Sequence, residues 1–197
     1  MTSPQLTRIR DAIVAGALGG VCAGLVFATA HAFIIVPIWD RMFGSLAGAG
    51  LAGAVAGWAF AELFPAPLDF TPSAMAGAKY GALLWLAVVP VTVEDAALRA
   101  VGFLPRHESI GVVIAVGLAV IAGAAWGWLR TRRMRSMVAT ASATLALTMI
   151  MGGPVPAGRN VWALGIFLAV LPDCVVAGTI LGSAIALARP RTATMAP

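Results

Sequence analysis

Six long apolar runs, each separated from the next by a short segment rich in proline, glycine or charge, constrain this chain more than any other feature. They cover residues 13–36, 42–63, 74–93, 110–129, 137–151 and 161–188. A helix of about 20 apolar residues crosses the hydrocarbon core of a bilayer. The pattern therefore predicts an all-α, polytopic integral membrane helix bundle with six transmembrane helices. Composition agrees: 60% of the residues are hydrophobic and 11% charged, where a soluble domain is roughly half apolar and a quarter charged. The breakers between runs are short, so the chain reads as a single membrane domain over 1–197. The fifth run is the doubtful one, because it is short and carries Thr140, Ser142, Thr144 and Thr148; hydropathy alone would also allow a re-entrant segment.

Arginine placement sets the orientation. Cytoplasmic loops carry the excess of Lys and Arg. With the N-terminus inside, the inner segments hold Arg8, Arg10, Arg130, Arg132, Arg133, Arg135, Arg189 and Arg191, against Arg41, Arg99, Arg106 and Arg159 outside. Both ends are then cytoplasmic, and omitting the fifth span would place Arg189 and Arg191 outside and spoil the bias. Trp39, Trp126, Trp128 and Trp162 fall at run ends, as interfacial aromatics do, whereas Trp85 lies inside the third run. The expected setting is a bacterial-type inner membrane. The start of the chain also resembles a secretory signal, with Arg8 and Arg10, an apolar core, and then Ala28-Thr29-Ala30. Because the apolar stretch continues to Val36, it is read as an uncleaved first helix.

The basic residues come in short bursts rather than on a face interleaved with aromatic or polar readers, which argues against nucleic acid. The lipid bilayer, with its anionic headgroups, is the expected partner. Cys22 and Cys174 both lie within apolar runs without CxxC spacing, so helix packing is expected of them rather than a disulfide. No His/Cys pattern fixes a metal geometry, no nucleotide or hydrolase fingerprint is present, and no cofactor is implied.

Lipid removes the hydrophobic drive for helices to associate, so small residues that let backbones approach must supply the contact. Gly16, Gly20 and Gly24 form a ladder in the first run, and Gly53 and Gly57 a pair in the second. Similar pairs are Gly44/Gly48, Gly77/Gly81, Gly123/Gly127 and Gly178/Gly182. Packing within the bundle is the expected use; contact with a second copy or a partner membrane subunit is the alternative. The fifth run instead has Ser136, Thr140, Thr144 and Thr148 on one helical face. That face is expected to turn inward, either lining a polar cavity or bonding back to its own carbonyls.

Ionisable groups inside a span are costly and call for a reason. Asp173 lies deep in the sixth run after Pro172, whose ring frees the carbonyl four residues earlier. His31 near the outer end of the first run, and Glu94 with Asp95 closing the third, lie at comparable depth. These residues, with Thr144, form the candidate substrate or ion site. The plainer alternatives are that His31 caps a carbonyl, Glu94 and Asp95 pair with Arg99, and Asp173 meets Arg159 or a hydroxyl. Glu62, closing the second run at the inner face, is expected to be solvated. Two internal matches suggest different repeats: residues 84–90 with 166–172, each ending in proline, and 56–60 with 122–126. Inverted halves with matched proline breaks are a transporter design. The favoured function is a small multi-pass inner-membrane transporter or channel-like permease for an ion or small solute. The alternative is a non-catalytic structural or assembly subunit of a larger membrane complex, and an enzyme using a single acid such as Asp173 ranks behind both.

Overall fold

The computed structural model describes residues 3–32, 39–65, 69–87, 108–151 and 160–188. All the elements there are α-helices: α1 (Ser3–Ala32), α2 (Trp39–Leu63), α3 (Phe70–Ala87), α4 (Glu108–Thr131), α5 (Met134–Met151) and α6 (Asn160–Ala188). No strand occurs among the described residues. Several helices extend past the apolar runs that announced them, because hydropathy marks only the apolar part of a helix. α1 begins ten residues before its run, at Ser3 and Pro4, and proline is well tolerated in a first turn, where its missing N–H is not needed. Pro72 sits in the first turn of α3 in the same way, with Ser73 N donating to Asp69 O at 2.9 Å.

The ends of the helices follow from local chemistry. α2 closes with a bond from Phe64 N to Phe60 O, after which Pro65 offers no N–H. α4 and α5 are joined by Arg132 and Arg133, and Arg132 is left-handed at φ 56°. Its N–H reaches back to Trp128 O at 2.7 Å, and Thr131 Oγ1 accepts from Arg133 N at 3.2 Å. This is the αL helix ending that glycine usually supplies.

The helices pack in three close antiparallel pairs. In the first, Gly16 of α1 meets Gly53 and Gly57 of α2, while Gly20 and Gly24 meet Ala49. A methyl on Gly16 would fall on the Gly53 carbonyl oxygen and lie 2.9 Å from the Gly57 Cα. In the second, Gly77 and Gly81 of α3 lie on Gly178 and Cys174 of α6, and the Ser73 hydroxyl donates to Gly182 O at 2.7 Å. In the third, Gly123 and Gly127 of α4 receive the Thr144 and Thr140 side chains of α5. α6 packs on α1 where Leu181 and Ala184 face Gly19, and α5 packs on α2 where Ser136 Oγ donates to Glu62 O at 3.3 Å. The shared core gathers Phe60, Tyr80, Leu84, Ala139, Ala143, Leu181 and Ile185.

These contacts bring six helix ends together. The start of α1 meets the end of α2 through Arg8 and Pro65. The end of α4 meets the end of α2 through Arg130 and Phe64, and the starts of α3 and α5 join at the bonds just given. That end carries Arg8, Arg10, Arg130, Arg132, Arg133 and Arg135, so it is the arginine end.

Polarity is turned inside out relative to a water-soluble bundle. Ser73, Ser136, Thr140 and Thr144 are fully buried, while Leu18, Leu51, Val113, Ile121 and Leu187 are each more than 60% exposed. Two helical stretches among the described residues are long and apolar enough to cross a membrane, Gln5–Val26 with 22 residues and Leu46–Leu63 with 18. Shorter apolar stretches run over Val116–Thr131 and Cys174–Ala188.

Candidate functional site

A cavity of about 380 Å³ opens between five helices, and no described side chain of α4 lines it. Its wall is made by Gly20, Ala23 and Gly24 of α1, Ala49, Ala52, Gly53 and Ala56 of α2, and Tyr80, Gly81 and Leu84 of α3; α5 adds Ala143 and Leu147, and α6 adds Cys174, Ala177, Gly178 and Leu181. The space has a simple cause. Where glycines bring the α1–α2 and α3–α6 backbones into contact, the flanking alanines are too short to fill the space between the two pairs and α5. The wall offers no charged side chain among the described residues. What it can hold is a compact, largely apolar body, or an amphipathic one whose polar part extends beyond the wall.

The sequence candidates stand in different relations to this space. Cys174 borders it, and Asp173 is the preceding residue of α6, with its side chain outside the described residues. Pro172 lies within α6, which continues through it, and faces outward. His31 is in α1 with its side chain outside the described residues, and Glu94 falls outside them altogether. Thr144 does not line the cavity. It is buried against Gly123, and its hydroxyl donates to Thr140 O at 2.9 Å. Thr140 and Thr148 bond in the same manner, to Ser136 O at 2.7 Å and Leu145 O at 2.7 Å. The threonines of the stripe are thus interior but satisfied by their own helix, while Ser136 bonds to α2. Of the packing glycines of α1 and α2, Gly20, Gly24 and Gly53 also line the cavity, while Gly16 and Gly57 serve only the α1–α2 contact. Cys22 is exposed and Cys174 buried, and neither forms a disulfide. Among the described residues no three His, Cys, Asp or Glu side chains come together as metal ligands.

Glu62 departs from expectation. The sequence suggested a solvated carboxylate at a helix end, yet its side chain is 2% exposed and Oε1 meets no hydrogen-bond partner. Two neighbouring helices bond to the backbone around it. Ser136 reaches its carbonyl from α5, and Arg8 of α1 donates to Pro65 O and to Ala61 O, the latter at 3.3 Å. Tyr80, the one tyrosine of the chain, is the other residue that sequence reasoning passed over. It is 1% exposed, and its hydroxyl also lacks a partner. Its ring meets Phe60 edge-on at 6.0 Å and stacks on Trp126 at 5.7 Å, while Phe60 packs on Phe64 at 4.7 Å. The Arg130 guanidinium carbon lies 5.7 Å above the Phe64 ring. A lone acid amid Phe60, Ala61, Leu63 and Phe64 was the available signal for Glu62.

Comparison of the chain with family models, with curated proteins and with solved structures returned no match.

Proposed function

We propose that the chain is a six-span protein of a bacterial-type inner membrane, with both ends cytoplasmic, that works as a small permease. The observation that carries the reading is the cavity at the centre of the helices, about 380 Å³ with Cys174 on its wall and Asp173 next to it in sequence. A half-open recess of that size leaves part of its lining without protein contacts, which a bundle whose only task is to pack has no use for. A passage or binding site accounts for it.

Support for the membrane comes from the exposed leucines, valines and isoleucines outside and the buried hydroxyls inside, because lipid reverses the usual gain from burying apolar surface. Support for six spans comes from the gathering of alternate helix ends at one side. The apolar wall narrows the solute to a small molecule that can shed its water, since carbonyl or carboxylate ligands are needed to replace the hydration shell of a bare ion. Asp173, with His31 and Glu94 at comparable depth in the sequence, would serve the solute's polar part or a coupling ion.

The test is reconstitution in liposomes with a panel of labelled neutral, cationic and amphipathic solutes. The parent protein should accelerate uptake of at least one class over empty liposomes. Ala177→Trp, which fills the cavity, should abolish that uptake, and Asp173→Asn should impair it at equal protein per vesicle. No uptake of any class would leave the structural-subunit reading in place.

A further inference from the structure

The cavity stops short of the arginine end, and the layer between is aromatic. On α2, Ala56 lines the cavity while Phe60, one turn nearer the arginine end, does not; on α5, Ala143 lines it while Thr140 does not. Tyr80 marks the boundary on α3, and its ring is held between Phe60 of α2 and Trp126 of α4. We infer that Phe60, Tyr80 and Trp126 form a closed gate between the cavity and the arginine end, latched by Arg8 and Arg130. The inference deepens the permease reading and rests on it.

Three observations give the gate its physics. No described side chain of α4 lines the cavity, yet α4 supplies Trp126 to the gate and Arg130 to the latch. It can therefore withdraw without dismantling the cavity wall. The latches are polar contacts that water can replace: Arg8 spans the last carbonyls of α2, and Arg130 covers the Phe64 ring. Finally, the closed arrangement leaves Glu62 Oε1, the Tyr80 hydroxyl and Arg8 Nε buried without partners. Each such group penalises the closed state and is satisfied when water enters. The two states are thereby brought close in free energy, which a gate worked by solute binding requires.

Cys174 on the cavity wall is a ready probe, because Cys22 is the only other cysteine. In Cys22→Ser protein, inverted membrane vesicles present the arginine end to a membrane-impermeant maleimide. Alkylation of Cys174 from that side should be slow. It should rise at least tenfold in Phe60→Ala and in Trp126→Ala, rise less in Arg8→Gln, and stay near the parent rate in Phe60→Leu, which keeps most of the plug. Thermal melting in detergent identifies any variant that has unfolded, and Arg8→Gln carries the test if both alanine variants fail to fold. Rates equal to the parent in every folded variant would overturn the gate, as would parent protein labelled as fast as urea-unfolded protein. The permease reading fails separately. If Ala177→Trp abolishes uptake while labelling never changes, the permease stands and the gate falls; if labelling changes and no solute is carried, the reverse holds.

Discussion

Tyr80 and Glu62 share a peculiarity that a single substitution can probe, a polar atom buried without a partner. Leaving such a group unsatisfied costs about 1–3 kcal/mol. Tyr80→Phe removes the hydroxyl and keeps the ring between Phe60 and Trp126. It should raise stability by about 1 kcal/mol, read as a higher melting temperature in detergent, and it should slow any gating that depends on wetting the hydroxyl. A lower melting temperature would mean that the hydroxyl has a partner after all. Arg132 offers a backbone test. At φ 56° a side chain with a β-branch is strained where glycine is not, so Arg132→Val should be less stable than Arg132→Gly by about 1–2 kcal/mol. Little of this was legible beforehand. The backbone around Glu62 is met by Arg8, 53 residues from Ala61, and by Ser136, 74 residues from Glu62, and contacts at that separation leave no periodic trace in a sequence.

Helices and their pairings were far more legible, for a physical reason. An apolar run of about 15 residues or more announces a helix, which satisfies its own backbone, and each of the six runs contains one among the described residues. Which helices pair was legible only in part. The glycine spacing marked faces able to approach closely, but nothing in it said that α3 would choose α6 or that the threonines of α5 would fill the glycine groove of α4. The glycines now divide into two groups with opposite expected outcomes. A methyl on Gly53 would meet the Gly16 carbonyl and lie 2.8 Å from the Gly20 Cα, whereas one on Gly117 meets nothing within 4 Å. Gly53→Ala should therefore destabilise the α1–α2 pair by about 1–3 kcal/mol, as overpacking does. Gly117→Ala should be neutral or gain about 0.5–1 kcal/mol from helix propensity. Unfolding in mixed micelles measures both, and equal effects at the two positions would show that α1 and α2 do not meet at Gly53.

For the whole molecule, orientation decides whether the arginine end with its aromatic layer faces the cytoplasm. The end bearing Arg8, Arg10, Arg130, Arg132, Arg133 and Arg135 is the one where α1 and α5 start and α2 and α4 finish. In the proposed six-span topology, the bias of basic residues toward the cytoplasm would orient the entire bundle at once. Because the helix ends are linked by direct contacts, such as Arg130 over Phe64 and Arg8 on Pro65, the orientation cannot be mixed from one helix to the next without breaking them. Single-cysteine labelling in Cys22→Ser, Cys174→Ser protein reads it out. Arg133→Cys and Arg10→Cys should react with an impermeant maleimide only in inverted vesicles, and Arg106→Cys only in intact cells. A bundle inserted the other way would reverse all three results together. Labelling of Arg10→Cys and Arg133→Cys from opposite sides would be a different failure, since an odd number of crossings would then separate α1 from the α4–α5 turn and the antiparallel pairing described above could not hold. The same three positions therefore separate an error of orientation from an error of fold, and only agreement on one side puts the gate on the cytoplasmic face.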